Sequence, residues 1–419
     1  MSVRWIAVPL AIALASQPLA RAQDPNAALP DRITLPTLLR LVAERSPRLA
    51  VEQAAVDSAE AERITAGARP NPTISYGRFT PSGGAGTLFE GKRQQQTTLD
   101  LPLLIGGQRG ARIEAAEQGL LAARARVGLA GNELALRAAD LFVGLQAAQE
   151  RAAMIEESAA EVERVVAIVS GRLDSGAASR YDLTRVEVEL AGVNARLAEA
   201  RAELAEKSAG LAALLGAPGW RPSANGTAVP KGLSLGLAEW QDALIARNPQ
   251  IVAARREEEA AQAVVKRSER ERWPVPVLSV GRMWTGEPFG AANFVGLSTE
   301  IPLSDAWRGL VAKAAADLRS AQRRREAIES EAGVELGRLV DALAQRRAAL
   351  ERFRRNVGER IPALKQMAGD AYRLGRGSLL ELIDAARSRL DARLTELDLR
   401  AATVVQELRI LGLTGKLGG

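Results

Sequence analysis

Two stretches of the sequence decide the fold: residues 173–183 are LDSGAASRYDL, and residues 372–382 are YRLGRGSLLEL. Each contains a glycine, then a serine three residues later, then an acidic residue and a leucine. Glycine favours a tight reversal of the chain, and serine is a preferred residue at the N-cap of a helix. Each stretch therefore predicts a turn between two helices, and the same turn occurs twice, about 200 residues apart.

Other landmarks recur with nearly the same spacing and in the same order. Residues 72–78 (PTISYGR) resemble residues 276–282 (PVLSVGR), and residues 100–103 (DLPL) resemble residues 300–303 (EIPL). A repeat of this length indicates a duplicated structural unit. The sequence therefore predicts a signal peptide at 1–22, a first repeat at 23–216, a Pro/Gly-rich linker at 217–235 and a second repeat at 236–419.

The N-terminus has the pattern of an export signal. Arg4 precedes the mostly apolar stretch 5–15, and Ala20-Arg21-Ala22 offers a small-residue cleavage site. The apolar stretch is too short for a membrane-spanning helix, and no run of 18 apolar residues follows Ala22. We therefore expect a cleavable signal peptide and a mature chain that is periplasmic, secreted or a β-barrel protein.

Each repeat is predicted to be mostly α-helical with a small β part. Proline clusters should end the first helix of each repeat, and glycine-rich loops should separate two short strands. Pro362 should bend or break the second long helical stretch. The predicted elements are helices at 36–68 and 237–272, strands at 72–79, 94–103, 275–284 and 293–303, long helical stretches at 108–173 and 307–374, and returning helices that end near Leu215 and Leu411.

The predicted strands alternate between apolar and polar residues. Leu99, Leu101 and Leu103 share one face of their strand. Membrane barrel strands place apolar residues toward lipid and polar residues toward the lumen, although half-buried strands of soluble proteins have the same pattern. Four strands cannot close a transmembrane barrel, so insertion would require several chains to share one. The predicted lumen-facing positions are Thr98, Asp100, Ser298 and Glu300.

The composition argues against most catalytic chemistry. The chain contains no cysteine and no histidine, which removes Cys–His and Ser–His–Asp systems and imidazole or thiolate metal sites. We therefore predict no enzyme activity, no cofactor and no metal site. The formal net charge of +6 is spread among many acids and gives no case for nucleic-acid binding. The alternatives are a periplasmic coiled-coil adaptor or scaffold without a barrel, and a carboxylate-dependent hydrolase, for which no constellation is present.

The order of helix, hairpin and helical hairpin, repeated twice, resembles the TolC family of outer-membrane factors. The motifs at 69–72 (RPNP), 172–183 and 372–385 are similar to its CzcC-like subgroup. The resemblance implies a homotrimer with an α-barrel tunnel in the periplasm and a shared 12-stranded transmembrane β-barrel in the outer membrane. It also implies a periplasmic adaptor (membrane fusion) protein and an inner-membrane efflux pump of the RND type. Heavy-metal cations are the suggested substrates, and organic solutes remain open.

The resemblance places the working residues at the two helical turns. The implied adaptor-docking tips are Gly176, Ser179, Leu183, Gly375, Ser378 and Leu382. The implied periplasmic gate consists of Asp182, Tyr372, Arg376, Glu381 and Asp384. Helix capping by the serines, and complementation of the helix dipole by the acids, are the structural alternatives. Where the family can use a basic gate residue two positions after the tip glycine, this chain has Gly377, with Arg376 adjacent.

Overall fold

The computed structural model describes residues 29–80, 92–234, 236–300, 306–358, 360–374 and 376–417. The predicted signal peptide and Gly375 lie outside these residues. The described helices are α1 (Leu35–Arg45), α2 (Pro47–Ala66), α3 (Gln108–Asp174), α4 (Arg180–Leu215), α5 (Leu237–Arg247), α6 (Pro249–Glu271), α7 (Ala306–Phe353), α8 (Ile361–Arg373) and α9 (Leu379–Leu413). The described strands are β1 (Arg32–Ile33), β2 (Thr73–Phe79), β3 (Gln94–Pro102), β4 (Ser223–Ala224), β5 (Val277–Thr285) and β6 (Gly290–Ser298).

The first helix of each repeat is broken by a proline, so the prediction of single helices at 36–68 and 237–272 is wrong. Helix α1 ends before Ser46 and α2 begins at Pro47, and the same break separates α5 from α6 at Asn248-Pro249. A proline disfavours the helical conformation of the residue before it, and it is well placed in a first helical turn. The backbone of Ser46 is accordingly extended, with ψ at 121°.

The long helices follow the prediction closely. Helix α3 has 67 residues, hence a length of roughly 100 Å. The second long stretch is interrupted as Pro362 predicts: α7 ends at Phe353, a π-helical turn covers Arg354–Gly358, and α8 begins at Ile361. Helix α3, the corresponding stretch of the first repeat, is one continuous helix.

One sheet joins the hairpins of the two repeats, in the order β2-β3-β5-β6 with every pair antiparallel. Its central pair aligns Leu99 with Val280. A second, parallel pair that the sequence pattern did not predict joins β1 to β4, which lies in the linker region. In the described part of the chain, β2 and β6 each pair with one neighbour, so each leaves one edge open.

Strand β6 is shifted from its predicted place. It covers Gly290–Ser298 instead of 293–303, and residues 299 and 300 are not in a strand. Ser298 pairs with Val277, so residue 299 would pair with Pro276. The Pro276 carbonyl accepts a hydrogen bond from the Leu103 N–H on the other side, so its backbone faces the first hairpin and a pair with residue 299 offers β6 no hydrogen bond. The prediction that Glu300 is a strand position is therefore wrong, and residues 301–303 lie outside the described part.

Candidate functional site

The first helical turn is closed by a reciprocal hydrogen-bonded cap. Gly176, at the turn, has φ of 74°. The Ser179 hydroxyl accepts a bond from the Asp182 N–H (3.1 Å), and the Asp182 carboxylate accepts from the Ser179 N–H (3.0 Å). The Ser179 hydroxyl also donates to that carboxylate (2.6 Å). These bonds lower the pKa of Asp182, the hydroxyl bond most strongly. The cap satisfies backbone donors that would otherwise lack partners at the helix start.

The second turn repeats this geometry. The Ser378 hydroxyl accepts from the Glu381 N–H (3.2 Å), and the Glu381 carboxylate accepts from the Ser378 N–H (3.0 Å). The N–H groups of Arg376 and Gly377 both donate to the Ala371 carbonyl, which ends α8. Glu381 thus caps α9 as Asp182 caps α4. Within the predicted gate, Asp384 lies one turn further along α9 and is exposed.

Tyr372 joins the two turns inside one chain. Its side chain is buried, and the Arg172 guanidinium lies over its ring at 4.5 Å from the centroid. Such a cation–π contact links the last turn of α3 to the last turn of α8. Leu183 and Leu382, two of the predicted docking residues, are half-buried and pack against the same cluster as Tyr372. The structure therefore brings Tyr372, Leu183 and Leu382 together in one apolar cluster.

A row of arginines on α9, which we name the hairpin seam, faces acids on α3 and α4. Arg389 contacts Glu157 at 2.7 Å and Glu161 at 3.0 Å, and Arg393 contacts Glu157 at 2.6 Å. The hydrogen bond from Arg393 is the main reason why the pKa of Glu157 is lowered. Among the described residues, the other ion pairs of the seam from α9 arginines are Arg387–Glu189, Arg400–Glu150 and Arg409–Asp140.

The sequence pattern did not reveal the hairpin seam or the contact between Arg172 and Tyr372. The partners lie about 200 or more residues apart, in helices where arginine and glutamate are common at every turn. Residues that face solvent in an isolated helix have the same composition. A weak signal was present in the position of Arg172, which directly precedes the first turn as Tyr372 precedes the second.

The two faces of the four-stranded sheet differ in polarity, and the more polar face also carries Phe79, Val277, Met283 and Phe294. Thr98 and Asp100 share a face with Ser298, because the register aligns β3 with β5 and β5 with β6. Asp100 accepts a hydrogen bond of 2.5 Å from the Ser279 hydroxyl on this face. Three of the four predicted polar positions therefore lie together, and Glu300 lies past the end of β6.

The other face, which we name the outward face, carries large apolar side chains that are strongly exposed. Ile74, Tyr76, Val295 and Leu297 retain 75%, 63%, 76% and 71% of their accessible surface. Soluble proteins rarely expose contiguous apolar patches of this kind, and such patches mark membrane or protein contacts. The alternation in the sequence therefore corresponds to a real division of the sheet.

No helix in the described part of the chain is long and apolar enough to cross a membrane. Among the same residues, no group of three or more histidine, cysteine, aspartate or glutamate side chains is arranged to hold a metal ion.

Several solved outer-membrane channels have this fold. CusC matches with a TM-score of 0.72 and 22% identity over 92% of both chains, and its structures are described as showing transmembrane channel formation. The outer-membrane channel OprN matches with a TM-score of 0.73 and 22% identity over 92% of this chain and 90% of its own. VceC from Vibrio cholerae matches with a TM-score of 0.73 and 20% identity over 91% and 96%.

Sequence relatives agree. The cobalt-zinc-cadmium resistance protein CzcC of Cupriavidus metallidurans is 26% identical over 91% of this chain and 90% of its own. The nickel and cobalt resistance protein CnrC of the same organism is 31% identical over 71% of each. The family model "Outer membrane efflux protein" matches residues 38–217. Together with the fold, these matches establish that the chain belongs to the outer membrane efflux protein family.

Proposed function

We propose that three copies of this chain form the exit duct of a tripartite system that exports heavy-metal cations. The observation that carries the proposal is the sheet, with an apolar outward face and open edges at β2 and β6. Unsatisfied backbone groups are not tolerated in lipid, so the edges require further strands. Three sheets of four strands give a closed barrel of twelve, which lies within the known range.

The duct conducts its substrate without chemical change. Family membership places the chain among channels, and the helical part continues the barrel as a tunnel roughly 100 Å long. The strongly exposed apolar residues of the outward face disfavour the alternative of a soluble periplasmic scaffold, which would have to hide them from water.

The polar face of the sheet lines the lumen in this arrangement. Asp100 is the one acid in the four strands of the sheet, and it lies on this face with Thr98 and Ser298. Three chains would place three copies of Asp100 around the pore. A ring of carboxylates favours cations over anions. This preference suits a cation exporter while leaving the choice among cations to the pump.

The helical turns form the periplasmic end of the tunnel. We assign adaptor contact to the exposed turn residues Gly176, Ser179 and Ser378, and to Gly375, which lies outside the described residues. The gate combines the buried Tyr372 with Asp384, whose exposed carboxylate is available to face the pore. Arg376 is also exposed and adds a cation beside the second turn. The caps at Asp182 and Glu381 keep both turns in shape.

Three relatives support heavy-metal cations as the substrate class, because each is named for resistance to cobalt, zinc, cadmium or nickel. The chain lacks histidine and cysteine, so carboxylates would contact the cation transiently as it passes through the duct. The partners are a periplasmic adaptor and an inner-membrane pump of the RND type.

The test combines conductance with metal tolerance. Mature protein, extracted in detergent and sized, should be a trimer and conduct ions in planar bilayers with a preference for cations. Asp100→Asn should reduce that preference, whereas Thr98→Val should leave it nearly unchanged. A water-soluble, silent monomer would refute the duct. Complementation of a metal-sensitive strain then tests the substrate class. Restored tolerance to dyes but not to cobalt, zinc, cadmium or nickel would refute heavy-metal cations as the substrate.

A further inference from the structure

The outward face of the sheet changes from apolar to positively charged along the strands. Trp273 and Ile105, which are 56% and 68% exposed, lie between the helices and the strands, and exposed apolar residues of the outward face form a band that continues to Tyr76. Tyr76 pairs with Thr97. The stretch from Thr97 to Ile105 has nine residues, within the about 9–11 residues of a tilted transmembrane strand.

Two arginines lie where this apolar band ends. Arg282 pairs with Thr97, at the height of Tyr76, and Arg78 lies two residues beyond Tyr76 on the same face. Both are exposed, and neither has an ion-pair partner within the described residues. The Arg282 guanidinium lies 5.4 Å from the centroid of Trp284, which also belongs to this face.

The energetic cost of an arginine on this face depends on its depth in the membrane. An arginine on the lipid face of a barrel costs about 2–4 kcal/mol at the bilayer midplane but about 0–1 kcal/mol near the interface. The acid in the four strands, Asp100, lies on the opposite face, so no carboxylate of the sheet neutralises the two cations. Tyrosine and tryptophan are also typical of membrane–water interfaces.

We propose that Arg78 and Arg282, with Tyr76 and Trp284, bind the phosphate groups of a lipid headgroup at the membrane surface farther from the helices. The two arginines lie two strands apart and two residues apart along the strands, so their Cα atoms are separated by roughly 12 Å at about 4.8 Å per strand and about 3.3 Å per residue. Strand β3 lies between them and presents Gln95 and Thr97 on the same face. A guanidinium binds phosphate with two parallel hydrogen bonds, so the pair can hold two phosphates of one headgroup.

The proposed ligand is a lipid and not free phosphate because the cations continue directly from the apolar band. An acyl chain would lie along Val280 and Ile74, below the arginines, while the headgroup meets the guanidinium groups. This inference rests on the proposed membrane placement of the sheet, and the experiment therefore measures conductance and lipid binding separately.

The test uses the full mature chain in a neutral detergent, with binding measured by native mass spectrometry. The probes are diphosphorylated lipid A, its dephosphorylated form and inorganic phosphate. Arg78→Gln/Arg282→Gln should weaken binding of the diphosphorylated lipid about 30-fold, since each cation near a charged membrane surface contributes about fivefold. Arg319→Gln removes one exposed cation from α7, matches the charge change of each single variant, Arg78→Gln or Arg282→Gln, and should bind normally.

Conductance in phosphatidylcholine bilayers verifies that each variant is folded. If the double variant does not conduct, the two single variants carry the test, each with an expected loss of about fivefold. Unchanged lipid binding by a conducting variant would overturn the proposal, as would equal binding of the dephosphorylated lipid. Competition by inorganic phosphate at the affinity of the lipid would overturn the lipid assignment. A wild-type protein that never conducts would refute the membrane placement itself.

Discussion

Replacing Arg389 by methionine should loosen the hairpin seam. Arg389 belongs to α9 and contacts Glu157 and Glu161, which both belong to α3. The guanidinium is 13% exposed and Glu161 is 17% exposed, whereas Glu157 is 46% exposed. Methionine keeps much of the aliphatic length of arginine and removes its charge, so the substitution tests the ion pairs more than the packing.

The expected cost is about 2 kcal/mol per chain. Breaking a fully buried ion pair costs about 3–5 kcal/mol, and an exposed pair contributes about 0–1 kcal/mol. The Arg389 pairs lie between these limits, and Glu157 keeps its contact with Arg393. A cost of about 2 kcal/mol shifts the equilibrium between packed and separated hairpins roughly 30-fold.

Single-channel recording in planar bilayers measures this shift. We expect Arg389→Met to spend more time in states of higher conductance, because the seam holds α9 against α3 near the periplasmic turns. Arg323→Met is the matched control: Arg323 makes a single ion pair with Glu326 within α7 and is 83% exposed. Its removal should change neither conductance nor stability by more than about 0.5 kcal/mol.

A charge exchange distinguishes the contribution of charge from that of packing. Arg389→Glu combined with Glu161→Arg should recover part of the closed behaviour that either substitution alone removes, because the attraction is restored with opposite signs. If Arg389→Met behaves like Arg323→Met, the seam does not hold the hairpins together. If the exchange recovers nothing, packing and not charge explains the effect.

Three other perturbations give independent tests. The pKa of Glu157 lies below its ordinary value of 4.5, so the contribution of Glu157 to the stability of the seam is complete above that value and is lost as the pH falls through the lower folded pKa. Conductance should therefore rise below about pH 4.5. An unchanged conductance at that pH would contradict this prediction. Glu407, 1% exposed, accepts from the Gly232 N–H and pairs with Arg347, so Glu407→Gln should cost about 3 kcal/mol and admit protease at residues 217–234. If these residues stay resistant to protease, the contacts of Glu407 do not hold the linker in place. Gly176→Ala should cost about 1 kcal/mol by denaturant unfolding because φ is positive there, whereas the helical control Gly171→Ala should be neutral or stabilising.

Local features of the fold were predictable from the sequence because each depends on neighbouring residues. The serine after each turn caps a helix as its position predicts, and Pro362 lies at an interruption. The alternation around Leu99 predicted the division of the sheet into two faces, since successive side chains on a strand point to opposite sides. The breaks at Pro47 and Pro249 also follow from a local rule, since a proline disfavours the helical conformation of the residue before it, but the predicted helices at 36–68 and 237–272 did not include them.

Other features depend on partners that are distant in the sequence. The end of β6 at Ser298 depends on its pairing with Val277, the first residue of β5. The parallel pairing of β1 with β4 joins two segments of two residues each, too short for any periodic signal.

The sequence by itself determined that this protein is a duplicated unit of helices and hairpins, where its turns lie, and which face of the strands is apolar. Turn chemistry and side-chain alternation act over a few residues, so they are readable locally. Only the tertiary structure decided that β3 pairs with β5, that Arg172 meets Tyr372, and that the arginines of α9 face the acids of α3 and α4. Those contacts depend on how long helices and strands are placed side by side, and many arginines and glutamates in this sequence could have formed the same pairs.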